Sequence, residues 1–321
     1  MQIDAVITWV DSSDEAWRGK INEHIDKKID WNNKKDSTRY NSINEIEISI
    51  VSILKLATFI KNIYVVTDNQ QPKNFENLKK KALSLNVNIE LIDHSIIFMG
   101  YEEYLPTFNS QTIETMLYRI PNLSEHFVYF NDDMFLINKT KPSDFFIDQY
   151  PVLRGRWLEF DEHTWYKRLL NSNKKKRIFC HRYVKEDTAK VLGFDKHFNI
   201  HHTPYPLRKT TIHSFFEENP KLLVNNIKHR FRHKDQFLLQ GLANHIEIKN
   251  GTCTLTKSLS LFYTHKYNWY KILKKTVKTD LKEDKVLFLC LQSLETISKR
   301  KLRFLLKWID KKLNSNFADD V

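Results

Sequence analysis

Short apolar runs separated by longer amphipathic or polar segments make up the first 137 residues of the chain. The runs have the length of strands and are rich in β-branched and aromatic residues. They are Ile3 to Val10, Ile63 to Thr67, Val87 to Ile92 and Phe127 to Phe130. Between the first two runs, the apolar residues from Ile46 to Ala57 fall on one helical face. Because strands alternate with helices, the pattern predicts a doubly wound, mostly parallel α/β sheet.

An acidic side chain follows each of these predicted strands. Open α/β sheets bind ligands outside the carboxyl ends of their strands, so repeated acids there indicate a polar crevice along one edge. Taken singly, an acid at this position also caps a turn, and that is the favoured interpretation for Asp68 and Asp93. The polar strand ends are Asp11, Asp68, Asp93 and the Asn131-Asp132-Asp133 group.

The Asn131-Asp132-Asp133 group is a candidate metal site. Its carboxylates and amide are hard oxygen ligands, which suit Mg²⁺ or Mn²⁺ bound to phosphate oxygens. The alternative is a polar turn that ends the strand. A short helix is predicted before this strand, because Asn109 and Ser110 are good N-caps and Pro121 stops the helix.

Three polar motifs follow in the second half of the chain, where residues 139–176 show no clear period. Arg154-Gly155-Arg156 suggests a turn that faces phosphate. Pro204 and Pro206 prevent a helix around His202 and hold this side chain on a stiff, extended loop. Residues 228–235, KHRFRHKD, form a solvated basic patch, a nucleic-acid contact or a phosphate site. The two arginines of this last motif would share one face only in extended or turn backbone.

Residues 299–312 form a predicted amphipathic basic helix. Lysines and arginines surround an apolar face made of Leu302, Leu305, Leu306, Ile309 and Leu313. Such a helix packs on a protein core or lies on an anionic membrane surface, and the sequence favours neither alternative.

Composition limits the class of protein. The chain has 51 Lys and Arg residues against 39 Asp and Glu residues, which gives a net charge of +12. This charge suits a polyanionic partner, although a lysine-rich solvated surface explains it equally well. Three separated cysteines without a CxxC pair predict neither a disulfide framework nor a zinc site. With no signal peptide and no apolar run of membrane length, we expect a cytoplasmic protein, either in solution or peripheral on the inner face of the cell membrane.

Four segments of the chain resemble conserved regions of a known family: IDAVITWVDSSD, LPTFNSQTIETMLYRIPNLSEHFVYFNDDMFL, HTPYPL and RFRHKD. The family is Stealth, which comprises bacterial capsule and exopolysaccharide phosphotransferases and the catalytic subunit of the animal lysosomal-enzyme GlcNAc-1-phosphotransferase. The resemblance implies a catalytic domain at residues 1–298, with a GT-A-like half at 1–138 for nucleotide sugar and metal. A mainly helical half at 139–298 would close over the active site, and 299–321 would form a separate helix and tail.

The resemblance also implies roles for individual residues. Catalytic roles fall to Asp11, Asp132, Asp133, His202 and Arg232, and substrate contacts to Arg39, Asn109, Asn131, Arg230 and Asp235. Asp132 and Asp133 would hold Mg²⁺ or Mn²⁺. Two places depart from the family pattern: Glu47 and Val51 replace expected basic residues, and Gln292-Ser293 replaces an expected Asn-Asp.

The implied reaction moves a sugar 1-phosphate from a nucleotide-sugar donor, expected to be UDP-linked, to a hydroxyl of a growing polysaccharide, and releases UMP. The base that takes the hydroxyl proton would be His202 or one of the carboxylates. An alternative is a metal-dependent glycosyltransferase with the same acids and donor, in which the acceptor attacks the sugar C1 and UDP leaves. A non-catalytic nucleic-acid-binding protein would suit the charge, but the chain has no recognisable motif for it, so we expect no nucleic-acid partner.

Overall fold

A computed structural model describes residues 1–31, 43, 45–163, 181–282 and 285–320 of the 321-residue chain. The expected substrate contact Arg39 lies outside these residues. The strands are β1 Ile3–Thr8, β2 Asn62–Thr67, β3 Asn88–Asp93, β4 His126–Asn131, β5 Met134–Leu136, β6 Phe146–Ile147, β7 Tyr150–Glu159, β8 Lys196–Ile200, β9 Tyr205–Arg208, β10 Thr254–Thr256, β11 Leu261–Thr264 and β12 Phe288–Leu291. The helices are α1 Glu15–Glu23, α2 Glu45–Leu56, α3 Phe75–Ser84, α4 His94–Ile97, α5 Ser110–Met116, α6 His181–Val191, α7 Lys209–Glu218, α8 Pro220–Ile227, α9 Leu239–Asn250, α10 Trp269–Asp280 and α11 Lys299–Leu313.

A five-stranded central sheet in the order β3-β2-β1-β4-β9 organises the molecule. Its first four strands are parallel, and β9 runs antiparallel to β4 at one edge. The strands β1 and β4 are almost completely buried, as expected for apolar runs that are covered on both faces of a sheet. The predicted mostly parallel α/β fold is confirmed.

The order of the strands reverses beside β1. From β1 the chain proceeds to β2 and β3 on one side, and it then crosses to form β4 on the other side. Thr8, the last residue of β1, pairs with Asn131, the last residue of β4. The segments that follow these two strands therefore leave the sheet side by side, at the position where open α/β sheets bind ligands.

The second half of the chain adds two smaller sheets to its helices. One contains β6, β7, β8 and β10, and the other contains β5, β11 and β12. Most of these strands have two to five residues, too few to show a period in the sequence. Strand β12 lies antiparallel to β5 with Cys290 opposite Met134, which brings the end of β12 next to Asp133. The division of the chain at residues 138 and 298 stays a prediction.

The predicted phosphate-facing turn at Arg154-Gly155-Arg156 is wrong, because these residues lie inside β7. Arg154 is buried, and its guanidinium donates to the carbonyl oxygen of Asp144 (2.7 Å). Gly155 is required by close packing, since a Cβ atom there would lie 2.6 Å from the Phe198 ring. Gly155 and Arg156 therefore serve the pairing of β7 with β8, and Arg154 serves the contact with Asp144.

Helix α11 packs on the core through the apolar face identified from the sequence. Leu305 is fully buried, and Trp308 donates its indole N–H to Asp280 (3.1 Å). Lys55 of α2 donates to the carbonyl oxygen of Leu313 at the end of the helix. The apolar face is thus covered by the protein itself. Among the described residues, no helix combines the length and the apolar character needed to cross a membrane.

Replacing Leu305 by alanine should lower the free energy of unfolding by about 2–5 kcal/mol, because it leaves a cavity in the core. Lys307→Ala, on the exposed face of the same helix, is the matched control and should change this free energy by less than about 0.5 kcal/mol. Denaturant unfolding followed by circular dichroism measures both variants. Equally small effects would contradict the placement of α11 in the core.

Candidate active site

Asn131 and the acidic turn after β4 lie at the carboxyl edge of the central sheet. Asn131 ends β4, and Asp132 and Asp133 form the turn into β5. The Tyr129 hydroxyl hydrogen-bonds with the Asn131 Oδ1 (2.6 Å) and with the Thr8 hydroxyl of β1 (2.9 Å). Tyr129 therefore connects the amide of Asn131 with β1, at the place where the strand order reverses.

Carboxyl groups crowd around this turn, and their pKa values rise. Burial is the main cause for Asp132, whose pKa lies well above its usual range, and the charges of Asp133 and Glu45 raise it further. Burial also raises the pKa of Asp133 to about 6, against the opposing effect of a hydrogen bond from the Cys290 thiol. Glu295 has its pKa raised to about 6, again mainly by burial. A pocket of acids with raised pKa values favours the binding of protons or of a cation.

The acidic turn suits a divalent cation that also binds phosphate. The Asp133 Oδ1 is buried without a hydrogen-bond partner among the described residues, so this oxygen is available as a ligand. Within the same part of the chain, no three His, Cys, Asp or Glu side chains form a group that could hold a metal on its own. Mg²⁺ commonly takes one or two carboxylates and completes its shell with water and substrate phosphates. Asp132 and Asp133 fit this pattern.

Gln292 joins His202 to Asp133. The His202 ring stacks on Tyr263, with the ring centroids 5.3 Å apart and the planes at 8°. The Gln292 Oε1 accepts a hydrogen bond from the Tyr263 hydroxyl (2.7 Å), and its Nε2 lies 3.5 Å from the His202 Nδ1. Gln292 also lies close enough to the Asp133 carboxylate to oppose the rise of its pKa. One side chain thus connects the histidine with the acidic turn.

The sequence indicated Gln292 only as a departure from the family pattern, and its central place is a finding of the structure. It directly follows β12, whose four residues are all buried. A polar residue at the end of a buried strand is the signal that marked Asp11 and Asn131, so the same signal was available for Gln292. Tyr263 and Glu45 also act on this region, and neither was marked by a comparable signal in the sequence.

Arg230 and Arg232 lie in the irregular connection between α8 and α9, outside any helix. The backbone therefore meets the condition under which both side chains can face one ligand. Arg232 donates to the Ser110 hydroxyl at the start of α5 (3.1 Å). Arg230 is exposed and makes a longer contact with the carbonyl oxygen of Leu105 (3.4 Å). Of the two arginines, Arg232 is the better positioned.

Asn109 fastens this connection to α5. It is fully buried and caps α5 by accepting from the backbone N–H of Gln111. Its amide nitrogen donates to the carbonyl oxygen of His229 (3.0 Å) and to the Oε1 of Gln236 (2.8 Å). These contacts support a positioning role, and the expected contact of Asn109 with substrate stays a prediction.

A buried network links Arg232 with Asn131. The charge of Arg232 acts on Glu114, a buried acid whose pKa is raised mainly by burial. Glu114 accepts from the amide of Gln240 (2.9 Å) and hydrogen-bonds with the Tyr129 hydroxyl (3.2 Å), which also contacts Asn131. The arginine connection and the acidic turn therefore belong to one site.

Asp11 lies at the same sheet edge, whereas Asp235 lies apart from the acidic turn. The Asp11 Oδ1 accepts from the backbone N–H and the hydroxyl of Ser13 (2.8 and 2.6 Å). Gln70 hydrogen-bonds with the backbone N–H and carbonyl oxygen of Asp11 and fixes this turn. Asp235 is exposed and pairs with His233 (3.3 Å), and no contact in the described chain joins it to the acidic turn.

Comparisons with known proteins match one conserved region and several relatives. The family model "Stealth protein CR2, conserved region 2" matches residues 39–152. A capsular polysaccharide phosphotransferase of Haemophilus influenzae is 33% identical over 249 residues, which cover 74% of this chain and 62% of that protein. A receptor polysaccharide phosphotransferase of Streptococcus oralis is 28% identical over 253 residues, which cover 72% of this chain and 74% of that protein.

The matched region covers different shares of these relatives and of a solved structure with a similar fold. The chain spans less than two thirds of the length of the Haemophilus influenzae protein. The crystal structure of mouse xyloside xylosyltransferase 1 superposes with a TM-score of 0.41 at 11% identity, over 90% of this chain and 97% of that chain.

Proposed function

The chain belongs to the Stealth family, and we propose that it is a polysaccharide phosphotransferase. In the proposed reaction, a hexose or N-acetylhexosamine 1-phosphate moves from a UDP-sugar to a hydroxyl of a growing capsular or exopolysaccharide chain. A phosphodiester forms and UMP leaves. Support comes from relatives named for phosphotransfer on polysaccharides and from the arrangement of the candidate site.

The connection from His202 through Gln292 to Asp133 is the observation that carries this proposal. His202 and Asp133 come from distant segments, and both segments resemble the phosphotransferase family. The fold joins them through one amide side chain. A glycosyltransferase that attacks C1 could use the same histidine to stabilise its leaving diphosphate, so the released nucleotide is what separates the two reactions.

Phosphoryl transfer needs positive charge around the diphosphate of the donor. A divalent ion held by Asp132 and Asp133 would neutralise part of the diphosphate charge and stabilise the leaving nucleotide. Arg232 and Arg230 would hold phosphoryl oxygens, because a guanidinium group can bind two oxygens at once. The hydrogen bond to Ser110 orients Arg232 before the donor binds, and the charge of Glu114 lies nearby. Groups fixed in advance stabilise developing charge without the cost of reorganisation.

In the proposed step, the acceptor oxygen attacks the phosphorus that carries the sugar. The bond from this phosphorus to the bridging oxygen breaks, UMP takes that oxygen, and a base takes the hydroxyl proton. The Tyr263 hydroxyl donates to the Gln292 Oε1, so the amide N–H of Gln292 faces the His202 Nδ1. A neutral His202 whose Nδ1 accepts from this amide would carry its proton on Nε2, from which it could donate to a phosphoryl oxygen. In this arrangement the base is one of the carboxylates at the sheet edge.

Gln292→Glu should lower turnover at neutral pH by about a hundredfold, since a carboxylate would accept from Nδ1–H and reverse the tautomer of His202. The new charge should also raise the pKa of His202 and move the corresponding limb of the pH–rate profile to higher pH. Ser293→Ala, at the exposed neighbouring position, is the control and should leave both quantities unchanged. Turnover measured from pH 5 to 9 tests this, and undiminished turnover in Gln292→Glu would make His202 itself the better choice of base, because a carboxylate on Nδ1–H leaves Nε2 free to accept a proton.

Identification of the released nucleotide tests the proposed function. The protein would be incubated with a panel of nucleotide sugars, Mg²⁺ and capsule-type oligosaccharides, and the nucleotide product identified by mass spectrometry. We expect UMP. Release of UDP would favour the metal-dependent glycosyltransferase that attacks C1.

A further inference from the structure

A cavity of about 380 Å³ lies beside His202 and Tyr263. Residues of α6, β8, β11 and α10 line it. Three of these lining residues are lysines, namely Lys185, Lys275 and Lys278, and none of the described lining residues is acidic. A basic cavity therefore adjoins the histidine of the candidate site.

The lysines of this cavity face no counter-ion within the described chain, where none of the ion pairs involves them. Lys185 donates to the side-chain oxygen of Asn199 (2.8 Å), and Lys275 donates to the carbonyl oxygen of Tyr263. Burial lowers the pKa of both lysines, and the charges of nearby lysines lower that of Lys275 further. Cations that are partly removed from water and close to one another favour the binding of an anion.

The proposed reaction produces an anion at a defined place in the acceptor. In a polymer built by this reaction alone, each transfer joins the new sugar to the previous one through a phosphodiester, and the new sugar then supplies the next hydroxyl. The acceptor in every later cycle therefore carries a phosphodiester one sugar away from its reacting hydroxyl. His202 and Tyr263 belong to both the cavity and the network at Asp133, so a sugar chain lying in the cavity would end at the reacting groups.

We propose that the basic cavity binds a phosphodiester of the growing acceptor chain, next to the sugar whose hydroxyl reacts. This inference rests on the proposed function and extends it to the class of acceptor: oligosaccharides that already contain phosphodiesters bind better than neutral ones. The site thereby favours elongation of the product over the first transfer to a neutral sugar.

Binding of two matched oligosaccharides to the full chain tests this proposal. The probes are a synthetic tetramer of glucose joined through phosphodiesters and the neutral isomaltotetraose, each measured by titration calorimetry with Mg²⁺ present. Lys278→Glu should weaken binding of the charged tetramer by about tenfold or more, because a cation in the cavity is replaced by an anion. Lys274→Glu, on the same helix but outside the cavity lining, should weaken it by less than about threefold. Neither substitution should change the affinity for isomaltotetraose.

UDP serves as the probe that separates acceptor from donor. If the cavity belongs to the acceptor, Lys278→Glu should bind UDP and Mg²⁺ as tightly as the unmodified chain. Weaker UDP binding with unchanged tetramer binding would assign the cavity to the donor and overturn the proposal. Equal tetramer affinity in Lys278→Glu and the unmodified chain would also overturn it. Failure of the proposed function is distinguishable, because it would show as UDP, not UMP, among the reaction products.

Discussion

Asp133→Asn should lower turnover by about a thousandfold or more, and Asp132→Asn should have a similar effect, with the fold intact in both. Each substitution keeps the shape of the side chain and removes a charged oxygen ligand from the acidic turn. The buried Asp133 Oδ1, which has no hydrogen-bond partner among the described residues, would become part of a neutral amide. Asp195→Asn, at an exposed position, is the matched control and should keep full activity.

The same assignment predicts effects that do not depend on turnover. EDTA should abolish activity, and Mg²⁺ or Mn²⁺ should restore it. Mg²⁺ should also raise the melting temperature at pH 8, and it should not do so in the Asp132→Asn/Asp133→Asn double variant. Because the pKa of Asp133 is raised to about 6, its negative charge destabilises the cation-free fold above that pH, and the effect fades as the pH falls and the acid takes up a proton. The shift caused by Mg²⁺ should therefore shrink below pH 6, and full activity in EDTA would contradict the assignment.

Arg232→Lys should lower turnover by about a thousandfold although the positive charge is kept. The guanidinium of Arg232 donates to Ser110 and lies close enough to Glu114 to affect its pKa. A guanidinium can bind a phosphoryl group through two parallel N–H groups, and the single ammonium of lysine cannot reproduce this planar arrangement.

The loss of turnover in Arg230→Lys is to be compared with that in Arg232→Lys. Arg230 is exposed and its one described contact is longer, so we expect a loss of about tenfold or less. Steady-state kinetics with separate values for kcat and KM should place the loss in Arg232→Lys mainly in kcat. Equal losses in the two variants would show that charge alone matters and would remove the special role of Arg232.

The central sheet and the acidic turn could be predicted from the sequence because both depend on local patterns. The apolar runs that became β1, β2, β3 and β4 have strand length, and Asn131 and Asp132 directly follow the last of them. The N-cap role of Asn109 was also local, and the structure confirms it. The burial of Asn109 could not be predicted from its neighbours in the sequence. It depends on the connection that carries the two arginines, which is distant in the sequence and packs over this residue.

Other features depended on contacts between distant segments. Gln292 reaches Asp133 because β12 pairs with β5, and nothing within residues 286–295 specifies that partner. The short strands of the second half gave no period, so the basic cavity between α6, β11 and α10 had no signal in the sequence. For α11, amphipathicity is the same whether the partner is a bilayer or a protein core, and only the position of Leu305 in the structure decides between them.

The fate of the phosphorus atom tests the central claim most directly. The donor identified in the nucleotide-sugar panel would be labelled with ³²P at the phosphate attached to the sugar and incubated with Mg²⁺ and an oligosaccharide acceptor. Transfer of a sugar 1-phosphate predicts that the label enters the oligosaccharide and that the released UMP is unlabelled, with the rate strongly reduced in His202→Ala. Release of the label within UDP, together with full activity in His202→Ala, would show that attack occurs at the sugar C1. That result would contradict the phosphotransferase account.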